Sequence, residues 1–173
     1  MKIVERIDIW TNDFQNGWLK EFNQQNRINW NLYSYIKNNN SPQSTGLNLS
    51  KSKLLLISSA GGFLPAHDIS FDAGNPLGDY SIRTFPISTE FNNIEYSHDH
   101  YNTTAIKQDG QVLLPLRHLK SMVEEKVIGE MCDTVISFMG YQPDVNQVIT
   151  KTIPAVLDIV LKEKVDAVLL VPS

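Results

Sequence analysis

Cysteine is nearly absent: Cys132 is the single one in 173 residues. One thiol excludes an internal disulfide framework and fits a reducing compartment, so a cytoplasmic location is expected. Positive charge is also sparse. Lys and Arg number 15 against 19 Asp and Glu, for a net charge of -4, and the two signs are interspersed. Without a basic patch or Arg-rich stripe, nucleic acid is excluded as an expected partner. No apolar run reaches the roughly 18 residues of a membrane span, so no membrane partner is expected. Met1-Lys2-Ile3-Val4-Glu5-Arg6 lacks the basic-then-apolar form of a signal peptide. There is no GxGxxG fingerprint and no P-loop lysine, which leaves little support for a nucleotide site. What is present is ordinary globular material: 42% apolar residues, enough for one domain with a core.

The chain divides by pattern. Residues 1–50 read as an N-terminal arm packed on a main domain of residues 51–173. In the arm, Trp10, Phe14, Trp18, Leu19 and Phe22 recur at helical spacing, which predicts a short amphipathic helix. The aromatic strip Trp30, Leu32, Tyr33, Tyr35 follows, and Asn38-Asn39-Asn40-Ser41-Pro42 marks a loop. The strip reads as arm packing in preference to a ligand platform.

Lys53–Ser58 is short, apolar and bounded by polar residues, the pattern of a parallel strand covered on both faces. Ser58-Ser59-Ala60-Gly61-Gly62-Phe63 follows, with small residues that admit close backbone approach. Residues 64–104 are rich in Pro, Gly, Asp, Asn and His, and so long a stretch with little periodicity tends to be functional. Within it Arg83–Ile87 predicts a short strand, at an edge because of Pro86. Gln111–Leu114 reads as a strand. Pro115 opens a helix whose apolar face is Leu116, Leu119, Met122, Val123 and Val127, with Gly129 as its stop. Thr134–Met139 and Asp166–Val171 are further strands. Between them a helix runs to Glu163, with Asp144 as its N-cap. The alternation predicts an α/β fold, a three-layer sandwich with a parallel, flavodoxin- or Rossmann-like sheet, incomplete at the C-terminus.

Several stretches together resemble the selenoprotein B family of the glycine, sarcosine, betaine and D-proline reductases. They are Ser58–Phe63, Gly78-Asp79-Tyr80-Ser81-Ile82-Arg83, Ser97-His98-Asp99-His100-Tyr101-Asn102 and Leu113–Leu119. Ile128-Gly129, Ser137–Asp144 and Val165–Leu170 complete the set. The resemblance runs from about Lys53 to the end. It implies a subunit that reductively cleaves a C–N bond of an amino acid or N-methylated amino acid. The nucleophile it implies is a selenocysteine or cysteine a few residues after the last strand, thus beyond Ser173. A UGA codon read as a stop would end the chain there. For the D-proline enzyme the resemblance also implies a partner subunit whose pyruvoyl group activates the amine as an imine. No cofactor is expected within this chain, and a homo- or hetero-oligomer is expected.

Ligands of open α/β sheets bind past the carboxyl ends of the strands. The candidate substrate-binding residues are therefore Ser59, Gly61, Arg83, His98, His100 and Gly140. Arg83 offers a guanidinium to a substrate carboxylate, against a loop arginine paired with Asp79 or Glu90. His98 and His100 form a His-x-His pair, assigned to substrate or partner rather than metal. Gly140 is expected to adopt an unusual backbone angle. Cys132 reads as a small buried hydrophobe. Two alternatives stay open: an inert partner-binding module of the same fold, and an unrelated α/β domain that binds phosphate at Gly61-Gly62.

Overall fold

The computed structural model describes residues 4–40, 46–97 and 104–173. Its centre is the apolar run β1 (Lys53–Ser58). Successive side chains of a strand point to opposite faces, so each half of this run seeds a separate core. Leu54 and Leu56 face one way, with Leu116, Leu119, Ile128 and Val135. Leu55 and Ile57 face the other, with Cys132 and Ile136. Each such side chain, buried, stabilises the fold by about 1.5–3 kcal/mol.

A two-residue strand β2 (Gly62–Phe63) follows, then β3 (Ile82–Pro86) and the short β4 (Glu95–Tyr96). A brief helix α3 (Thr104–Gln108) precedes α4 (Leu116–Glu124), which leads to β5 (Glu130–Phe138). The chain then winds through α5 (Val145–Gln147), a π-helical stretch Val148–Thr152 and α6 (Ile153–Lys162) into β6 (Ala167–Val171). The main sheet has the order β3-β5-β1-β6, and β2 pairs with β4 in a separate ribbon. Helix α4 covers one face, and Val156, Ile159 and Val160 of α6 pack on the other. The result is the expected three-layer α/β arrangement.

Several expectations are refined. The strands β1, β5 and β6 are parallel, but β3 is antiparallel to β5, so the sheet is mixed. Pro86 ends β3 on the sheet edge, where its missing N–H leaves no ladder bond unmade. Gln111–Leu114 is not a strand. Gly110–Val112 is a single 3₁₀ turn whose entry is capped by Asp109, which accepts the Gln111 N–H at 3.0 Å. The Gln111 side-chain oxygen then accepts the Arg117 and His118 N–H groups and so caps α4. Gly129 does not stop α4, which ends at Glu124 with Lys126 in the left-handed region. Asp144 does cap its helix, accepting the Asn146 N–H at 2.9 Å.

The N-terminal segment is helical as expected: α1 (Ile7–Asp13), a π-helical turn Phe14–Leu19 and α2 (Lys20–Gln25) run end to end. Phe14 and Trp18 are its buried anchors, and Trp18 stacks between Phe14 and Phe22. Tyr33 ties the segment to the sheet domain by donating to the Pro143 carbonyl at 2.7 Å. Among the described residues, no helix is long and apolar enough to cross a membrane.

Candidate strand-end site

Three parallel strands end side by side, with Ser58 opposite Ser137 on one flank and Val171 on the other. The backbone continues to stitch them together past the last ladder rung. Ser59 N–H donates to Val171 O at 3.1 Å, and Gly61 N–H donates to Phe138 O at 3.0 Å. Gly61 has φ 62, the left-handed region that a residue without Cβ enters at no steric cost. Gly62 N–H then donates to the Ser137 hydroxyl at 2.7 Å. The Ser58 hydroxyl donates to Leu113 O at 3.0 Å, which ties the approach to α4 to the same strand end.

Ser59 is the hub. Its hydroxyl accepts the Ser173 N–H at 2.9 Å, and its carbonyl accepts the Ser173 hydroxyl at 2.9 Å. Gly140 lies against it: a Cβ built on Gly140 would stand 3.5 Å from the Ser59 side chain. Ser59 therefore joins Ser173 and Gly140 at one strand end, with Gly61 in the turn that follows, and Ser59 and Gly61 are themselves buried there. Gly140 is not among the positive-φ glycines, so the unusual backbone angle expected of it belongs to Gly61 instead. What Gly140 provides is close approach to Ser59.

Arg83 sits two strands away from Ser59, paired in register with Ser137. Its guanidinium lies 4.4 Å over the Phe71 ring, with Nε donating to Ile69 O at 2.9 Å and Nη1 to the Ser81 hydroxyl at 2.8 Å. Those contacts clasp the loop between β2 and β3. His98 and His100 fall outside the described residues. Ser97, just before them, donates its N–H to Gly61 O at 3.0 Å, so the described chain leaves β4 beside the turn after β1.

The Gly78–Arg83 segment is a second fastening whose role the sequence did not disclose. Burial pushes the Asp79 carboxyl up, yet the hydroxyl and N–H of Ser81 and the N–H of Asp72 outweigh it and hold the group below the usual carboxylate range. Gln142 Nε2 donates to Asp79 O, and the Tyr80 hydroxyl accepts the Asp144 N–H at 2.7 Å. Burial raises Tyr80, Tyr141 and Tyr33 above the ordinary phenol range, with Tyr141 reaching about 12. All three phenols are therefore neutral near pH 7. Tyr141 donates to Pro76 O at 2.8 Å. The loops at this end of the sheet are locked to one another by neutral tyrosines and one ionised carboxylate.

Comparisons with known proteins identify the family. The family described as glycine/sarcosine/betaine reductase selenoprotein B matches residues 33–173. The D-proline reductase subunit gamma of Acetoanaerobium sticklandii is 29% identical over 96 residues, which cover 56% of this chain and 40% of that protein. The chain thus aligns with less than half the length of that relative. No solved structure matches. The family match takes in every strand of the sheet, and the chain belongs to the glycine/sarcosine/betaine reductase selenoprotein B family.

Proposed function

We propose that this chain is part of a reductase subunit that cleaves a C–N bond of an amino acid or N-methylated amino acid. The substrate class is glycine, sarcosine, betaine or D-proline, and the nucleophile is a selenocysteine or cysteine beyond Ser173. The observation that supports the reading is that Ser59, lying against Gly140, holds Ser173 at the strand ends, where ligands of open α/β sheets bind. A chalcogenolate emerging there attacks the carbon bearing the nitrogen. The C–N bond pair leaves with the amine, which takes up a proton. A dithiol then reduces the new carbon–chalcogen bond: the carbon takes up a proton, the chalcogenolate is released and the dithiol becomes a disulfide. The partner is a second reductase subunit, the carrier of the pyruvoyl group in the D-proline case; that group supplies activation of the amine.

The coding DNA tests this without any assay. An in-frame UGA or cysteine codon is expected within a few codons of Ser173. A different stop codon, or an extension without such a residue, would favour the inert accessory module.

A further inference from the structure

The two edges of the main sheet are finished differently. The β3 edge carries Arg83 and ends on Pro86, and charges and prolines both discourage a further strand. The β6 edge, Ala167-Val168-Leu169-Leu170-Val171, holds neither a charge nor a proline. Among the described residues β6 pairs with β1 alone, so the outer side of its backbone has no strand partner. Large apolar side chains stand bare beside that edge: Val168 is 48% exposed, Leu170 58%, Leu157 46% and Leu161 74%. They belong to one face of the sheet. Val168 and Leu170 are in register with Leu55 and Ile57, which point into the core on the α6 side. Leu157 and Leu161 stand one turn apart on α6 itself. On the other face Ala167, Leu169 and Val171 already pack against the core on the α4 side.

We propose that this surface seats the polypeptide that follows Ser173, folded as a helix against Leu157, Leu161, Val168 and Leu170 and a parallel strand along β6. Chain handedness selects that occupant. A crossover between parallel strands is right-handed in about 98% of cases. Helix α4 covers one face as the chain passes outward from β1 to β5, and α6 covers the other as it returns across β1 to β6. A further step outward from β6 keeps the direction of the last one, so its helix falls on the α6 face. That is the face with the bare leucines and valine, and beside β6 the opposite face shows none among the described residues. A helix and a strand need length, and the chain aligns with only 40% of its curated relative. The inference rests on the reductase reading for the existence of chain after Ser173, and it deepens that reading. Ser59 fixes one end of the loop that carries the nucleophile, and the seated helix fixes the other.

Thiol labelling of the full-length subunit tests it, first without the partner subunit and with the nucleophile codon replaced by serine. Leu161→Cys and Leu170→Cys are compared with Glu124→Cys, an exposed position of α4 on the opposite face. Cys132 is 0% exposed and reports any unfolding, and peptide mass spectrometry assigns each labelled site. A covered thiol reacts only through local opening, so positions 161 and 170 are expected to label at least about a hundredfold more slowly than position 124. The protection is expected to persist on dilution. Labelling of either position at the reference rate would overturn the proposal. So would protection that is lost on dilution, the mark of a second copy, or that appears only once the partner subunit is added. The codons after Ser173 keep the two readings apart. Reference-rate labelling beside a selenocysteine or cysteine codon would remove this inference alone. An extension without either residue that still protects both positions would remove the reductase reading alone. A gene that ends at Ser173 would end both.

Discussion

A protein of residues 1–173 alone is expected to leave D-proline, glycine, sarcosine and betaine unreduced, even with a dithiol and the partner subunit supplied. The same chain extended through a downstream selenocysteine or cysteine is expected to turn one of them over. Cys132 cannot stand in for the nucleophile. It is 0% exposed and packed among Leu55, Ile57 and Ile136 on the α6 face. It also lies near the amino end of β5, six residues before Phe138. At about 3.3 Å per residue that is roughly 20 Å from the carboxyl edge. Placing a reacting group correctly is worth about 7–11 kcal/mol, so residual binding groups do not compensate for its absence. The difference between the two proteins should therefore be on the order of 10⁵-fold or more in rate. Turnover by the short chain that disappears in Cys132→Ala would make Cys132 the nucleophile and overturn the assignment.

The largest effect on stability is expected from Gly129→Ala. A Cβ there would lie 2.7 Å from Ser52 N, 2.8 Å from Ser52 O and 2.9 Å from Lys51 C. All three are backbone atoms, so no side chain can swing aside. The backbone is fixed on both sides: Gly129 N–H donates to Leu49 O at 2.9 Å and Glu130 N–H to Ser52 O at 3.1 Å. Relief of the clash would pull β5 from the start of β1, next to the point where their register already shifts between Leu54 and Leu56. Overpacking typically costs about 1–3 kcal/mol, and rigid backbone on every side puts this position at or above the top of that range. Urea unfolding should show the midpoint falling with little change in slope. A midpoint within error of the parent would mean that the Ser52 turn yields freely.

Much of this architecture was legible because β1 and β6 are apolar runs bounded by polar residues, and Asp144 and Pro86 are local signals with one physical meaning each; β5 begins at Glu130, four residues before the expected Thr134, because Asp133 interrupts its apolar pattern. The orientation of β3 was not legible. It depends on how the loop between β2 and β3 folds back, through Asp79, Tyr80 and Gly78, onto residues 141–144 far along the chain. Gln111–Leu114 misled because a short apolar run looks the same in a strand and in a turn, and what decides is the capping by Asp109 and Gln111. At the site, proximity to a strand end was enough to bring Ser59, Gly61 and Gly140 together. It could not say that the Arg83 guanidinium is wrapped around Phe71 and the loop carbonyls. The contact of Trp30 with Tyr141 had no local signature at all, since the two rings meet only through the tertiary fold.

On the proposed function the strand end at Ser59 is the place of reaction. Ser59 holds Ser173 at both the N–H and the hydroxyl, and on the proposed function it acts as a positioning residue for the nucleophile. The most direct test is steady-state kinetics of the extended protein, with its partner subunit, carrying Ser59→Ala. The expected result is a fall in kcat of roughly 10²-fold with KM nearly unchanged, because a displacement of about 1 Å at the reacting atom costs that much while substrate binding is kept. Restoration by Ser59→Thr, which keeps the hydroxyl, would support positioning over mere packing. An unchanged kcat in Ser59→Ala would place the chemistry elsewhere on the molecule.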